Sequence, residues 1–127
     1  MKEVMAIIRM NRINDTKRAL AENGYSQFTA RKVMGRGRGK VDLGLLEGAR
    51  AGSEEAIALL GPAPRLYPKR LLFVTVPDSA VAGVVATIIK VNQTGHAGDG
   101  KIFVLPMLDA VRIRTGESGD LALDEKM

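Results

Sequence analysis

The sequence contains no cysteine and no tryptophan, one histidine (His96), and only 4% aromatic residues. Without cysteine there is no disulfide framework, no thiolate nucleophile and no Cys-ligated zinc or iron–sulfur centre. One histidine is too few for a multi-histidine metal site and leaves a Ser-His-Asp triad without support elsewhere, so no metal held by side chains is expected. Scarce aromatics argue against a stacking platform for single-stranded nucleic acid. The longest largely apolar stretch, Ala80 to Ile89, is about half of the ~20 residues that span a bilayer. Met1-Lys2-Glu3-Val4 opens straight into a strand-like run with no secretory-signal pattern, so the expected location is the cytoplasm. Acidic residues are missing between Glu22 and Asp42, where Arg31, Lys32, Arg36, Arg38 and Lys40 all fall.

What is present points to one globular domain. The 127 residues match the common domain size of ~100–150 residues. The 46% hydrophobic and 26% charged fractions are those of a folded chain. A net charge of +5 and a pI near 9.8 favour an anionic partner. A second basic set, Lys101, Arg112 and Arg114, precedes an acidic tail with Glu117, Asp120, Asp124 and Glu125. Two local clusters suit phosphates on a small ligand at least as well as a polynucleotide.

Hydrophobic periodicity outlines the elements. Glu3 to Arg9, with Val4, Met5, Ala6, Ile7 and Ile8, reads as a central strand. Asn14 is a candidate N-cap for a helix through Asn23, with Gly24 just past its end and Ile13, Thr16 and Leu20 as its buried stripe. Phe28 to Met34 and Lys69 to Val76 read as the second and third strands. Pro77-Asp78-Ser79 caps a second helix whose Val81, Val84, Val85, Ile88 and Ile89 follow helical spacing. Lys101 to Leu105 and Ala110 to Thr115 supply two closing strands. This order predicts an α+β, ferredoxin-like βαββαβ (split βαβ) sandwich with both helices on one face.

The stretch from Gly35 to Pro68 breaks the pattern, for it holds seven of the fourteen glycines and three of the five prolines. So long a loop in a compact domain is functional or disordered. Ser53 to Leu60 is a candidate short helix within it, stopped by Gly61-Pro62.

Gly95-His96-Ala97-Gly98-Asp99-Gly100-Lys101 is the strongest local motif. Its glycines let backbone approach an anion, and its lysine adds a point charge. The spacing nearly matches a Walker A loop, but Ile102 occupies the magnesium-binding Ser/Thr position and Lys101 opens a strand, not a helix. A phosphate loop of another kind and a plain glycine turn both fit. Arg112 and Arg114, two apart on the expected strand, share a face; they are either an anion clamp or solvated edge residues. Gly35-Arg36-Gly37-Arg38-Gly39-Lys40 is a third, flexible cationic element. Asp99, between two glycines, suits a turn-shaping role. No carboxylate pair or activated nucleophile stands out, which argues against an enzyme.

Gly98-Asp99-Gly100-Lys101-Ile102-Phe103-Val104 followed by Ala110-Val111-Arg112-Ile113-Arg114-Thr115-Gly116-Glu117 resembles the C-terminal signature of the PII (GlnB/GlnK-like) nitrogen-regulatory proteins. Thr94-Gly95, Lys69, Pro77 and the opening Met1-Lys2 with Ala6-Ile7-Ile8-Arg9 extend the likeness over most of the chain. The resemblance implies one PII-like domain over residues 1–127, with an extended T-loop at about residues 36–68, assembling as a homotrimer. It implies a regulator that binds ATP or ADP in clefts between subunits, and in many members 2-oxoglutarate through magnesium. Carried over by position, Gly98, Asp99, Gly100 and Lys101 form the phosphate loop, Arg112 and Arg114 reach it across the subunit boundary, and Arg38 adds a contact. Ile7, Thr29, Gly35, Arg36, Gly37 and Thr75 would line the nucleoside. Arg9, Gly39 and Lys69 match the 2-oxoglutarate site.

The chain departs from that pattern in places. Gly39 stands where most members carry the glutamine that helps hold magnesium and 2-oxoglutarate, and Phe73 replaces an acidic residue. The T-loop is longer than usual, and no tyrosine lies at the usual uridylylation position near its tip; Tyr67 is at its base. The long loop, with Phe28-Thr29-Ala30-Arg31-Lys32-Val33 ahead of Gly35-Arg36-Gly37, resembles the branch encoded in nitrogen-fixation clusters. Members of that branch act with a sister PII-like chain on dinitrogenase. The implied target is therefore dinitrogenase, with an ammonium transporter as the alternative, and a mixed assembly with a sister chain is a further expectation. Two other classes also fit parts of the sequence. A nucleic-acid-binding module would explain the Arg-Gly run, although no base-reading residues accompany it, and a nucleotide hydrolase would explain the phosphate loop.

Overall fold

A computed structural model describes residues 1–36 and 66–123. It contains strand β1 (Lys2–Arg9), helix α1 (Ile13–Glu22), strands β2 (Thr29–Gly35) and β3 (Tyr67–Val76), helix α2 (Val81–Asn92) and strand β4 (Lys101–Pro106). The strands form one antiparallel sheet in the order β2-β3-β1-β4. That is the split βαβ arrangement, in which each helix crosses between strands that are not neighbours.

Alternation along the strands decides which face is covered. Val4, Ala6 and Ile8 of β1 and Leu72, Val74 and Val76 of β3 are buried, while their neighbours in sequence are not. Their partners in the core are Ile13 and Leu20 of α1 and Val84 and Ile88 of α2, so both helices lie on one side. Truncating a fully buried member such as Leu72 to alanine costs roughly 2–5 kcal/mol. One polar pair joins the two helices: the buried Asn92 amide donates to Thr16 Oγ1 at 3.0 Å and to the Ile88 carbonyl at 2.9 Å. Thr16 in turn donates to the Arg12 carbonyl at 2.7 Å.

The opposite face has no layer over it among the described residues. Met5 is registered with Phe73 and Phe103, and Ile7 with Leu71 and Lys101. Phe103 is 44% and Leu105 37% exposed. Apolar surface is thus left uncovered on this face at Phe103 and Leu105.

Several local expectations need correction. Asn14 does not cap α1: the chain leaves β1 through a 3-10 turn at Met10–Arg12, and Arg12 precedes the helix without a side-chain cap. Asp78 lies in a second 3-10 turn before α2 and bonds to the N-terminal amine, 2.6 Å away, instead of capping the helix. The helical stripe of α2 buries Val84, Ile88 and Asn92, whereas Ile89 is 43% exposed.

Ala110 to Thr115 is not a strand. Only Val111 bridges to Ser118, and the intervening residues form a tight turn closed by Gly116 N–H donating to the Arg112 carbonyl at 2.7 Å. The strand-based argument that Arg112 and Arg114 share a face therefore fails. The candidate helix at Ser53 to Leu60 lies outside the described residues.

Candidate functional site

The site is built on the connection from α2 to β4. Gly95, Gly98 and Gly100 have φ of +85°, +99° and +113°, a region that side-chain-bearing residues rarely adopt. Asp99 holds the loop together from inside. One carboxylate oxygen accepts from the Thr94 hydroxyl and, at 2.7 Å, from Arg9 Nη1; the other accepts from the amides of Thr94 at 2.8 Å and Gly95 at 3.0 Å.

The Thr94 hydroxyl and amide, with the Arg9 guanidinium and the Gly95 amide, hold the Asp99 carboxyl far below the ordinary carboxylate range. A carboxylate depressed in the folded state stabilises the fold above its unfolded value of about 3.9 and loses that contribution only as pH falls further. At neutral pH the staple is permanently charged.

Two cations tie the loop to the sheet. Arg9 and Lys69 are cross-strand partners on the face opposite the helices. Arg9 Nη2 donates to the Ala97 carbonyl at 3.1 Å, and the buried Lys69 ammonium donates to the Gly98 carbonyl at 3.0 Å. Gly100 sits so close to β1 that a Cβ there would lie 1.9 Å from the Ile7 carbonyl oxygen.

The result is a cavity of about 290 Å³ lined by Ile7, Gly35, Arg36, Lys69, Gly98, Gly100, Lys101 and Phe103. Of the residues singled out from sequence, Ile7, Gly35, Arg36, Lys69, Gly98, Gly100 and Lys101 come together here. Phe103 was missed, although it is two residues beyond Lys101 on the same strand and so shares its face.

Thr29 and Thr75 lie elsewhere, in a neutral cleft of about 450 Å³ with Tyr25, Phe28, Phe73 and Leu123 among its walls. Thr29 and Gly35 are opposite ends of β2, roughly 20 Å apart at ~3.3 Å per residue. A single chain therefore does not gather the whole expected nucleoside set. Asp99 and Arg9 are occupied in positioning the loop.

Arg112 has its guanidinium 3.3 Å from Glu117, Arg114 is exposed at the turn, and neither lines the cavity. Gly37, Arg38 and Gly39 fall outside the described residues. Among the described residues no group of three His, Asp or Glu side chains is placed to hold a metal ion, and no helix is long and apolar enough to cross a membrane.

A glycine loop anchored to a sheet, with lysines beneath and beside it, is an arrangement able to hold an anionic group. The family model described as nitrogen regulatory protein P-II matches residues 1–117. Nitrogen fixation nifHD region GlnB-like protein 2 of Methanobacterium ivanovii is 48% identical over 123 residues, covering 97% of this chain and 99% of that protein. Its namesake in Methanothermobacter marburgensis is 40% identical over 132 residues, covering 97% of this chain and all of that protein. Nitrogen regulatory protein P-II 1 of Escherichia coli is 41% identical over 123 residues, again covering 97% of this chain and all of that protein. With its split βαβ sheet and its glycine loop between α2 and β4, this chain belongs to the P-II family of nitrogen regulatory proteins.

Proposed function

We propose that this chain acts in the cytoplasm as a trimer that binds ATP or ADP between subunits and uses the segment after β2 to regulate dinitrogenase. The observation that carries the reading is the cavity under Gly98–Lys101, where Arg36, Lys69 and Lys101 supply positive charge to a small volume. The uncovered apolar sheet face and the Arg112–Arg114 turn, which lies outside that cavity, both suit a site completed by a neighbouring subunit. Light scattering is expected to give three times the chain mass at micromolar concentration, and a stable monomer or dimer would refute the assembly.

Nucleotide binding is tested by calorimetry. Lys101→Ala and Arg112→Ala each remove a charge-assisted hydrogen bond worth ~1.5–3 kcal/mol, or roughly 10- to 150-fold in ATP affinity. Wild-type affinity in both variants would show that the nucleotide sits elsewhere. For 2-oxoglutarate the reading is weak binding by this chain alone. Arg9 and Lys69 already serve the loop carbonyls and Asp99, and Gly39 brings no side chain to a magnesium ion.

A further inference from the structure

The helix-bearing face of the sheet has a charged feature that the nucleotide cavity does not use. Lys32 of β2 and Arg70 of β3 are direct register partners, and Arg70 also lies opposite Ile8 of β1. Both therefore project to the side of Leu72 and Ile8, away from Lys69 and Lys101. Like charges directly opposite one another across an antiparallel pair destabilise it, and neither of these is in an ion pair among the described residues. Arg70 has a second anomaly, since its Nε–H is buried and has no acceptor among the described residues. A buried donor left unpaired is costly and calls for an explanation. The 3-10 turn at Met10–Arg12 packs on β3, but the acid beside it is taken: Asp15 lies 3.6 Å from Arg12 and 3.5 Å from Arg18.

We infer that Lys32 and Arg70 form a binding site for one dianionic phosphate group on the helix side of the sheet, separate from the cleft under Gly98–Lys101. A planar guanidinium fork and a point-charge ammonium are complementary phosphate ligands. Their two positive charges are balanced by a phosphate of about −1.5 to −2 at pH 7, whereas a carboxylate leaves one cation uncompensated. An anion held between Lys32 and the Arg70 guanidinium would give the orphaned Nε–H an acceptor.

The test follows the Arg70 Nε–Hε resonance by NMR during separate titrations with inorganic phosphate, a phosphomonoester (glycerol phosphate) and acetate. The expected result is a saturable shift at millimolar phosphate or phosphomonoester, the tighter of the two identifying the source, and a clearly weaker response to acetate. Lys32→Gln, at an exposed position of an edge strand, is expected to weaken the response by about tenfold or more. Lys101→Ala, on the other face, is expected to leave it unchanged. No shift at tens of millimolar, an equal response to acetate, a response untouched by Lys32→Gln, or one lost in Lys101→Ala would each overturn the assignment.

Discussion

Replacing Gly100 by alanine is expected to abolish nucleotide binding and to lower the thermal midpoint by on the order of 10 °C. Two independent costs combine at this position. Its φ of +113° is strained for any residue with a Cβ, at roughly 1–3 kcal/mol. The added methyl would also lie 1.9 Å from the Ile7 carbonyl oxygen and 3.0 Å from its carbon. Ile7 cannot give way, because β1 is held by β3 on one side and β4 on the other. The loop must therefore lift from the sheet, and Lys101 moves with it. Overpacking of this kind adds about 1–3 kcal/mol.

Gly95→Ala is the matched control. Gly95 also has a positive φ of +85°, but a Cβ there meets nothing within 4 Å, so only the backbone strain applies. A thermal melt followed by circular dichroism, together with calorimetric ATP titration, separates the two variants. Equal behaviour of the alanine variants at 95 and 100 would show that contact with Ile7 does not shape the site.

The contrast between those glycines shows what was legible in the sequence. Positive-φ positions announce themselves, because Gly95, Gly98 and Gly100 are punctuation in any reading of the motif. The close approach of Gly100 to Ile7 does not, since it joins residues far apart in sequence. The same holds for the Arg9–Asp99 tether, whose partners are separated by 90 positions. Strands β1 and β3 were legible as near-continuous apolar runs, and helix α2 because burial of one face imposes a helical period on the sequence.

Ala110 to Thr115 misled for the same reason. Val111, Arg112, Ile113 and Arg114 alternate like a strand, but the chain pairs with itself through Val111 and Ser118 instead of with the sheet. Gly116 and Gly119, at φ of +75° and +69°, make that return possible. The apolar residues of the pattern are left outside, with Ile113 99% exposed. Alternation records which side chains seek cover and says nothing of whether the cover comes from the same chain.

Excising Val41 to Pro64 is expected to leave the fold and ATP binding intact while removing the proposed inhibition of dinitrogenase. Gly35 and Tyr67, the last residue of β2 and the first of β3, are direct register partners, so the segment leaves and rejoins the sheet at one point. Excision keeps Arg36 to Lys40, Arg65 and Leu66, seven residues in place of the thirty-one from Arg36 to Leu66. Shortening the connection reduces its closure entropy by roughly 1 kcal/mol, so the variant should melt no lower than the parent. Gly37 and Arg38, which the family resemblance places at the nucleotide, are retained. What is lost is a glycine-rich stretch carrying Leu43, Leu45, Leu46, Ile57, Leu59 and Leu60, apolar groups of the kind that a partner buries. In the proposed reading, a nucleotide held beside Gly35 and Arg36 would couple ligand to target by changing the ordering entropy that docking must overcome. Dinitrogenase assays, light scattering and ATP calorimetry on the same preparation separate the outcomes. Lost inhibition with intact assembly and ATP affinity supports docking through this segment, whereas undiminished inhibition by the shortened chain places the contact on the body of the molecule.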